Sequence, residues 1–312
     1  MEQMELGERQ IILSDAFRDY MAATQMKARA KDVYNHHWSR IAPILGHLFI
    51  EEITTSVLDG FKQKLPRSLA PRTVNHHLTL IRAVLGFMWK REKLSHVPYI
   101  PKMSVPRKNH QWYSEMERDR LLKGMFEMFP QWYLFFYLTC RLGLRRGEVY
   151  AISRGKIRHI PALLVVDEQV QVGNRSRPAS LTTRKNDAAY TVKLSQDLLD
   201  AIDWHIAKGY GGEEFLFSKD GSFPIHLDSH QRPLREVQRA LGLRELGHHA
   251  IGRHSVASQA ATSGHSMKAI QAQLGHLSEQ STHCYAHLGS SAQLRVMEDL
   301  KPQSPPHSWR SA

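Results

Sequence analysis

LGHLSEQSTHCYAHL, Leu274–Leu288, places His276, His283, Cys284, Tyr285 and His287 within fifteen residues. Gly275-His276 reads as the close of one short helix and Ser278 as the cap of the next, because glycine takes the left-handed turn and serine accepts from free helix N–H groups. Tyr285 falls nine residues after His276. Just upstream, GHHAIGRHSVASQAA, Gly247–Ala261, puts His248, His249, Arg253 and His254 at the head of a helix with one small, apolar face. Farther upstream, LTCRLGLRRGEVYAI, Leu138–Ile152, sets Arg145 and Arg146 after an apolar segment and a Gly-Leu turn, with Glu148 three residues beyond Arg145. An arginine beside the free N–H groups of a helix start suits an anion.

Three chemistries compete for these residues. His and Cys are metal ligands, but their spacings repeat no zinc pattern and the side chains point in different directions on their helices. A structural reading places satisfied histidines in a core and a tyrosine at an interface. The third is a phosphoryl-transfer site without metal, in which two arginines neutralise a phosphate and a tyrosine attacks it.

The rest of the chain sets the architecture. Its 312 residues, 42% hydrophobic and 23% charged, suit two domains, each with a core. A net charge of +12 points to a polyanion, most commonly nucleic acid. Two cysteines, Cys140 and Cys284, exclude a disulfide framework and a four-cysteine metal site, and fit a reducing, cytoplasmic setting. The early acids argue against a signal peptide, and no apolar run is long enough to span a bilayer.

Residues 12–97 read as helices, with Ser14 a cap for a segment bearing Phe17, Tyr20 and Met21, and a second helix near 30–44. The clearest helix is 72–91, where Val74, Leu78, Ile81, Leu85 and Met88 recur at three- and four-residue steps. Its other face carries Arg72, Asn75, His76, Arg82, Lys90 and Arg91, either a solvated face or a DNA-contacting one. Through Asn109 there are 17 Lys and Arg against 10 Asp and Glu. VPYIPKMSVPRKNHQW, Val97–Trp112, with three prolines plus Lys102, Arg107 and Lys108, reads as an extended linker. Beyond it, 114–128 and 132–142 read as helices and 162–172 as a strand. A hairpin is expected around Asn186-Asp187 within 182–194, and helix returns after Ser195. The expected division is a helical domain over 1–97, a linker over 98–112, a second domain over 113–301 and a disordered tail over 302–312.

These motifs resemble, in order, the boxes of the tyrosine recombinase, or phage integrase, family. RLGLRRGE at Arg141–Glu148 is similar to the first box, with Arg145 as its arginine. TTRKNDAAYTVKL carries Lys185 where the family has a lysine on a β-hairpin, Arg184 being the alternative. HAIGRHSVAS resembles the H-x-x-R-H box, with Arg253 as its arginine, and LGHLSEQSTHCYAHL the last, with His276 and Tyr285. The family histidine three residues before the arginine falls here on Ala250. His249, four residues before, is assigned to that role through an extra Gly252; His254, His248 or a vacancy are the alternatives. APRTVNHHLTLIRAVLGFMWKRE resembles, more weakly, the family's core-binding helices.

The resemblance implies a mainly α fold with a small antiparallel β-sheet: an N-terminal helical, SAM-like core-binding domain and a C-terminal integrase-type catalytic domain. It implies DNA strand cleavage and rejoining through a covalent 3′-phosphotyrosine on Tyr285. Arg145 and Arg253 would hold the phosphate, His276 and His249 would hydrogen-bond or shuttle a proton, Lys185 would protonate the 5′ oxygen, and Glu148 would support the arginines. No cofactor or metal is implied. Double-stranded DNA is the implied partner, contacted by the 72–91 face and by Arg107 and Lys108, with self-association into a tetrameric synapse through a helix over 290–300. No membrane partner and, from the short stretch before Ser14, no separate arm-site domain are expected. The rivals are a type IB topoisomerase and a DNA-binding protein of the same fold without catalysis.

Overall fold

The computed structural model describes residues 10–106, 111–171, 179–184, 189–218, 229–276, 282 and 285. The chain divides into two compact units, Met1–Lys108 and Asn109–Ala312. Among the described residues no helix is long and apolar enough to cross a membrane.

The described residues of the first unit form four α-helices, α1 (Leu13–Ala23), α2 (Ala28–Leu45), α3 (Thr55–Lys64) and α4 (Pro71–Trp89), with a 3-10 turn at Ile50–Glu52. All five positions that define the 72–91 periodicity, Val74, Leu78, Ile81, Leu85 and Met88, are buried in its core. Pro71 opens α4 where its missing N–H costs nothing. Ser14 does not cap α1; the cap position is Ile12, and no side chain caps it. The chain leaving α2 does this work instead, because Leu13 N–H donates to Leu48 O at 2.8 Å and Ser14 N–H to Gly46 O at 3.0 Å. Backbone acceptors satisfy the first-turn donors that a capping side chain would otherwise serve.

The start of the proline-rich segment is pinned to this unit. The Asn75 amide exchanges two hydrogen bonds with the Met103 backbone, at 2.9 and 2.8 Å. Thr55 Oγ1 donates to Tyr99 O, Lys62 Nζ donates to Pro101 O, and Ile100 is buried in the core.

The second unit begins with α5 (Glu115–Met128), opened by a capping box in which Ser114 and Glu117 satisfy each other's backbone N–H groups. The apolar α6 (Pro130–Leu142) runs through the core, burying Phe135, Phe136 and Leu138, and stops at Gly143 with φ +66°. The short α7 (Arg146–Tyr150) follows. Strands β1 (Ile157–His159), β2 (Ala162–Val166) and β5 (Tyr190–Lys193) form one antiparallel sheet in the order β1-β2-β5, and β3 (Glu168–Gln171) pairs with β4 (Ser180–Thr183) in another.

The single strand expected over 162–172 is therefore two, broken at Asp167. Aspartate is disfavoured inside strands; here its carboxylate pairs with Lys156 and its carbonyl accepts from Arg184 N–H. The break also separates the expected 182–194 hairpin: Thr183 pairs back to Glu168, whereas Tyr190 pairs with Val166. Asn186-Asp187 lies outside the described residues. The later described residues of the unit form α8 (Gln196–Ala207), α9 (Gln231–Ala240), a π turn (Ala250–His254), α10 (Ser255–Thr262) and α11 (Met267–Leu274).

Candidate active site

Five segments of the second unit deliver the polar residues singled out above. Gly143 lets α6 end in a tight left-handed turn against Leu274, so that Arg145 becomes the N-cap of α7. Glu148, buried, folds back onto that cap: Oε2 accepts from Arg145 N–H at 2.8 Å and Oε1 from Arg145 Nη1 at 2.9 Å. The Arg145 side chain keeps 42% of its surface open to solvent. Glu148 is thus a positioning residue that aims a half-exposed guanidinium outward.

The turn carrying Arg253 widens from α to π between Ala250 and His254. A π turn accommodates one extra residue in a helix, and such turns favour functional sites. Gly252 is required by close approach: a Cβ there would sit 2.9 Å from Thr139 O on α6. Arg253 is buried and donates three ways: Nη1 to Gly143 O at 3.1 Å, Nη2 to Leu274 O at 2.6 Å, and Nε to His276 Nε2 at 3.1 Å. A guanidinium has five N–H donors, so two remain for a ligand. Burial and neighbouring Arg145 lower its pKa to about 10, which leaves it cationic at neutral pH.

Because Arg253 can only donate, Nε2 of His276 accepts, and the ring proton sits on Nδ1, 2.8 Å from Thr282 Oγ1. Burial and the charges of Arg253 and Arg145 lower the His276 pKa to about 4, keeping it neutral. Tyr285 is 4% exposed; its ring packs with Ala257, Ala261, Ile270 and Leu274, and its hydroxyl lies 2.5 Å from His254 Nδ1. His249 is exposed and sets its ring at 4.5 Å from that of His254 in a T-shaped contact. His248 faces the core, with Nε2 at 3.4 Å from Leu144 O.

Lys185 lies outside the described residues, as do Arg107, Lys108 and the 290–300 segment. Its neighbour Arg184, the alternative candidate, is buried: Nε donates to Glu148 Oε1 at 3.1 Å, Nη2 to Gly275 O at 3.1 Å, and the guanidinium lies 4.2 Å over the Tyr190 ring. Arg184 therefore ties α7 to the Gly275-His276 turn. Sequence reading also passed over Thr282, whose only signal is a position three residues before Tyr285. In the first unit Arg72, His76, Arg82, Lys90 and Arg91 are exposed along and just beyond α4, whereas Asn75 is committed to Met103. A cleft of about 590 Å³ opens beside His249, with Arg146, Arg235 and Arg239 on its walls. Among the described residues no group of three or more His, Cys, Asp or Glu side chains is arranged to hold a metal ion.

Arg253 bonds His276, and Arg145 and Tyr285 lie near enough to act on the Arg253 charge, so residues from three of the family boxes come together in space as well as in order. The family model described as phage integrase family matches residues 121–291. The chain belongs to the phage integrase family. Its members are tyrosine site-specific recombinases, and the enzyme class carries over with the family. Among solved structures, the fold is similar to Tn1549 transposon integrase in complex with a circular intermediate DNA, with a TM-score of 0.80, 15% identity, and 93% of this chain and 100% of that chain covered. It is also similar to a lambda integrase fragment solved as a dimer bound to a COC′ core site, with a TM-score of 0.65, 15% identity, and 88% and 95% covered. A lambda integrase tetramer bound to a Holliday junction matches with a TM-score of 0.63, 14% identity, and 89% and 78% covered. No curated protein matches the sequence.

Proposed function

We propose that this recombinase cleaves one DNA strand by attack of Tyr285 Oη on a phosphodiester, forming a 3′-phosphotyrosine and a free 5′ hydroxyl. The observation that carries the reading is the bond from Arg253 to His276, with Arg145 and Tyr285 both near enough to act on the Arg253 charge. Attack at phosphorus builds charge on the non-bridging oxygens. Arg145 and the two spare N–H groups of Arg253 supply forked donors for those oxygens, and such donors are strongest toward the pentavalent transition state. Lys185 is the proton donor to the 5′ oxygen, on sequence grounds. The phosphotyrosyl ester conserves the bond energy, so a hydroxyl from another strand can reverse the step and join a new partner.

Duplex DNA is the substrate. The exposed cations Arg72, Arg82, Lys90 and Arg91 on the first unit, and Arg235 and Arg239 on the second, suit phosphate contacts along a backbone. Similar folds solved on DNA as a dimer and a tetramer support assembly on DNA, with the 290–300 segment as the subunit contact. The test is covalent capture: nicked duplexes of random sequence, incubated with the protein, should yield an SDS-resistant protein–DNA species enriched for one site. Capture by wild type and none by Y285F supports the reading; no capture by wild type contradicts it. Relaxation of supercoiled plasmid without a site would favour the topoisomerase rival.

A further inference from the structure

The Tyr285 hydroxyl has a polar partner in His254, the residue that directly follows the box arginine Arg253. Its oxygen lies 2.5 Å from Nδ1 of His254, the residue that ends the π turn. A phenol has a pKa near 10, so only about one in a thousand is ionised at neutral pH, and attack on phosphorus needs somewhere for the proton to go. Among the described residues three other histidines lie nearby, and the geometry gives none of them that place. His276 accepts from Arg253 at Nε2 and faces Thr282 through Nδ1, so both ring nitrogens are engaged. His248 is buried with Nε2 toward Leu144 O. His249 meets the His254 ring at an interplanar angle of 83°, a contact that fixes the rotation of that imidazole.

The π turn produces this arrangement. Gly252 passes against Thr139 without a side chain. Arg253 then points inward to Gly143 and Leu274 carbonyls, and His254, next in sequence, faces the Tyr285 hydroxyl at the head of α10. The apolar cluster of Ala257, Ala261, Ile270 and Leu274 holds the tyrosine ring, so its single polar atom meets the imidazole.

We propose that His254 is a catalytic residue, the proton acceptor for Tyr285 during cleavage and its donor during rejoining, with His249 as the positioning residue that orients it. The proposal rests on the reading of Tyr285 as nucleophile. In cleavage the Oη–P bond forms, the phenolic proton passes to His254 Nδ1, the P–O5′ bond breaks, and the 5′ oxygen takes a proton from the separate acid assigned to Lys185. In rejoining the incoming 5′ hydroxyl gives its proton to that group and bonds to phosphorus, and Tyr285 Oη leaves with the proton held on Nδ1. Protons balance in both directions, and His254 and the separate acid each gain or lose one proton per step.

The experiment uses the full chain and the duplex site captured by wild type, with the single-turnover rate of covalent complex formation as readout. Loss of general base catalysis is expected to slow H254A by about 10²–10⁴-fold with DNA affinity kept, and added imidazole should restore at least about tenfold of it. H254Q keeps a polar side chain but cannot take the proton, and should show the same loss. H249A should lose less than either. If H254A and H254Q both cleave within about threefold of wild type, or if imidazole fails to restore a DNA-binding H254A, the proposal is overturned. Should H254A not bind DNA, the H254Q rate decides between the same two outcomes. Absence of capture by wild type overturns the nucleophile reading itself, and the proposal with it.

Discussion

Arg253 donates through Nε to Nε2 of His276 at 3.1 Å, and this one bond sets the tautomer of the histidine, its charge and the direction of its remaining proton. The imidazole is neutral with its hydrogen on Nδ1, toward Thr282 Oγ1. Protonating it would put a hydrogen on Nε2, facing a guanidinium. The His276 pKa of about 4 predicts no titration between pH 5 and 8. Nitrogen-15 NMR of labelled histidine, with the His276 signal assigned by its loss in H276Q, should show that ring in the Nδ1-protonated form, unchanged over that range. T282V, which removes the Nδ1 partner, should lower the cleavage rate by about tenfold.

The two arginines should separate by their burial. Arg145 is half-exposed and Arg253 buried. R145A should lose about 10²–10³-fold in cleavage while leaving the melting temperature nearly unchanged, as expected for a donor felt mainly in the transition state. R253A should lose cleavage and stability together. It leaves the Gly143 and Leu274 carbonyls without their partner, at about 1–3 kcal/mol for each buried unpaired group. Thermal melting beside single-turnover cleavage checks both.

Glu148 holds two arginines, Arg145 and the buried Arg184. E148A should destabilise the second unit by about 3–5 kcal/mol, because it strands the Arg184 charge in the interior. E148Q, which keeps volume and one acceptor, should cost less. Urea denaturation of the two variants measures the difference.

Acid should destabilise both units. His77 in the first unit is buried with neither ring nitrogen hydrogen-bonded, and burial lowers its pKa to about 4. In the second, burial lowers His205 to about 4 and His248 to about 3. Each is neutral when folded and protonates near pH 6.5 when unfolded. The unfolded state therefore binds more protons below pH 6.5, and stability falls as pH drops through that value until the folded pKa is reached. The ceiling is about 1.4 kcal/mol per group per pH unit. Melting temperature should be flat from pH 8 to 7 and fall from 6.5 to 5, with H205Q and H248Q reducing the slope.

Much of this was legible in the sequence where a periodic pattern or a spaced motif carried it. The α4 core positions follow from 3.6-residue periodicity, and Arg253 reaches both the Gly143 turn that precedes Arg145 and His276 because the π turn packs against the end of α6. What escaped depends on tertiary partners. The break at Asp167 is set by which strand each segment finds, not by local propensity. Asn75 reads as a surface amide until Met103 closes on it, and Ser14 reads as a cap until the α2 exit supplies carbonyls. Arg184 resembles any hairpin cation in sequence, and only the fold reveals it buried between Glu148 and Gly275. The π turn is likewise invisible as periodicity.

The central claim is that Tyr285 forms the covalent bond to DNA. The direct measurement is mass spectrometry of the captured complex after nuclease and trypsin treatment. Trypsin releases residues 269–295 as one peptide containing a single tyrosine. A nucleotide phosphate on Tyr285 in that peptide, absent from Y285F, is the predicted result. An adduct on any other residue, Tyr190 included, or an unmodified 269–295 peptide from a covalent complex, would contradict it.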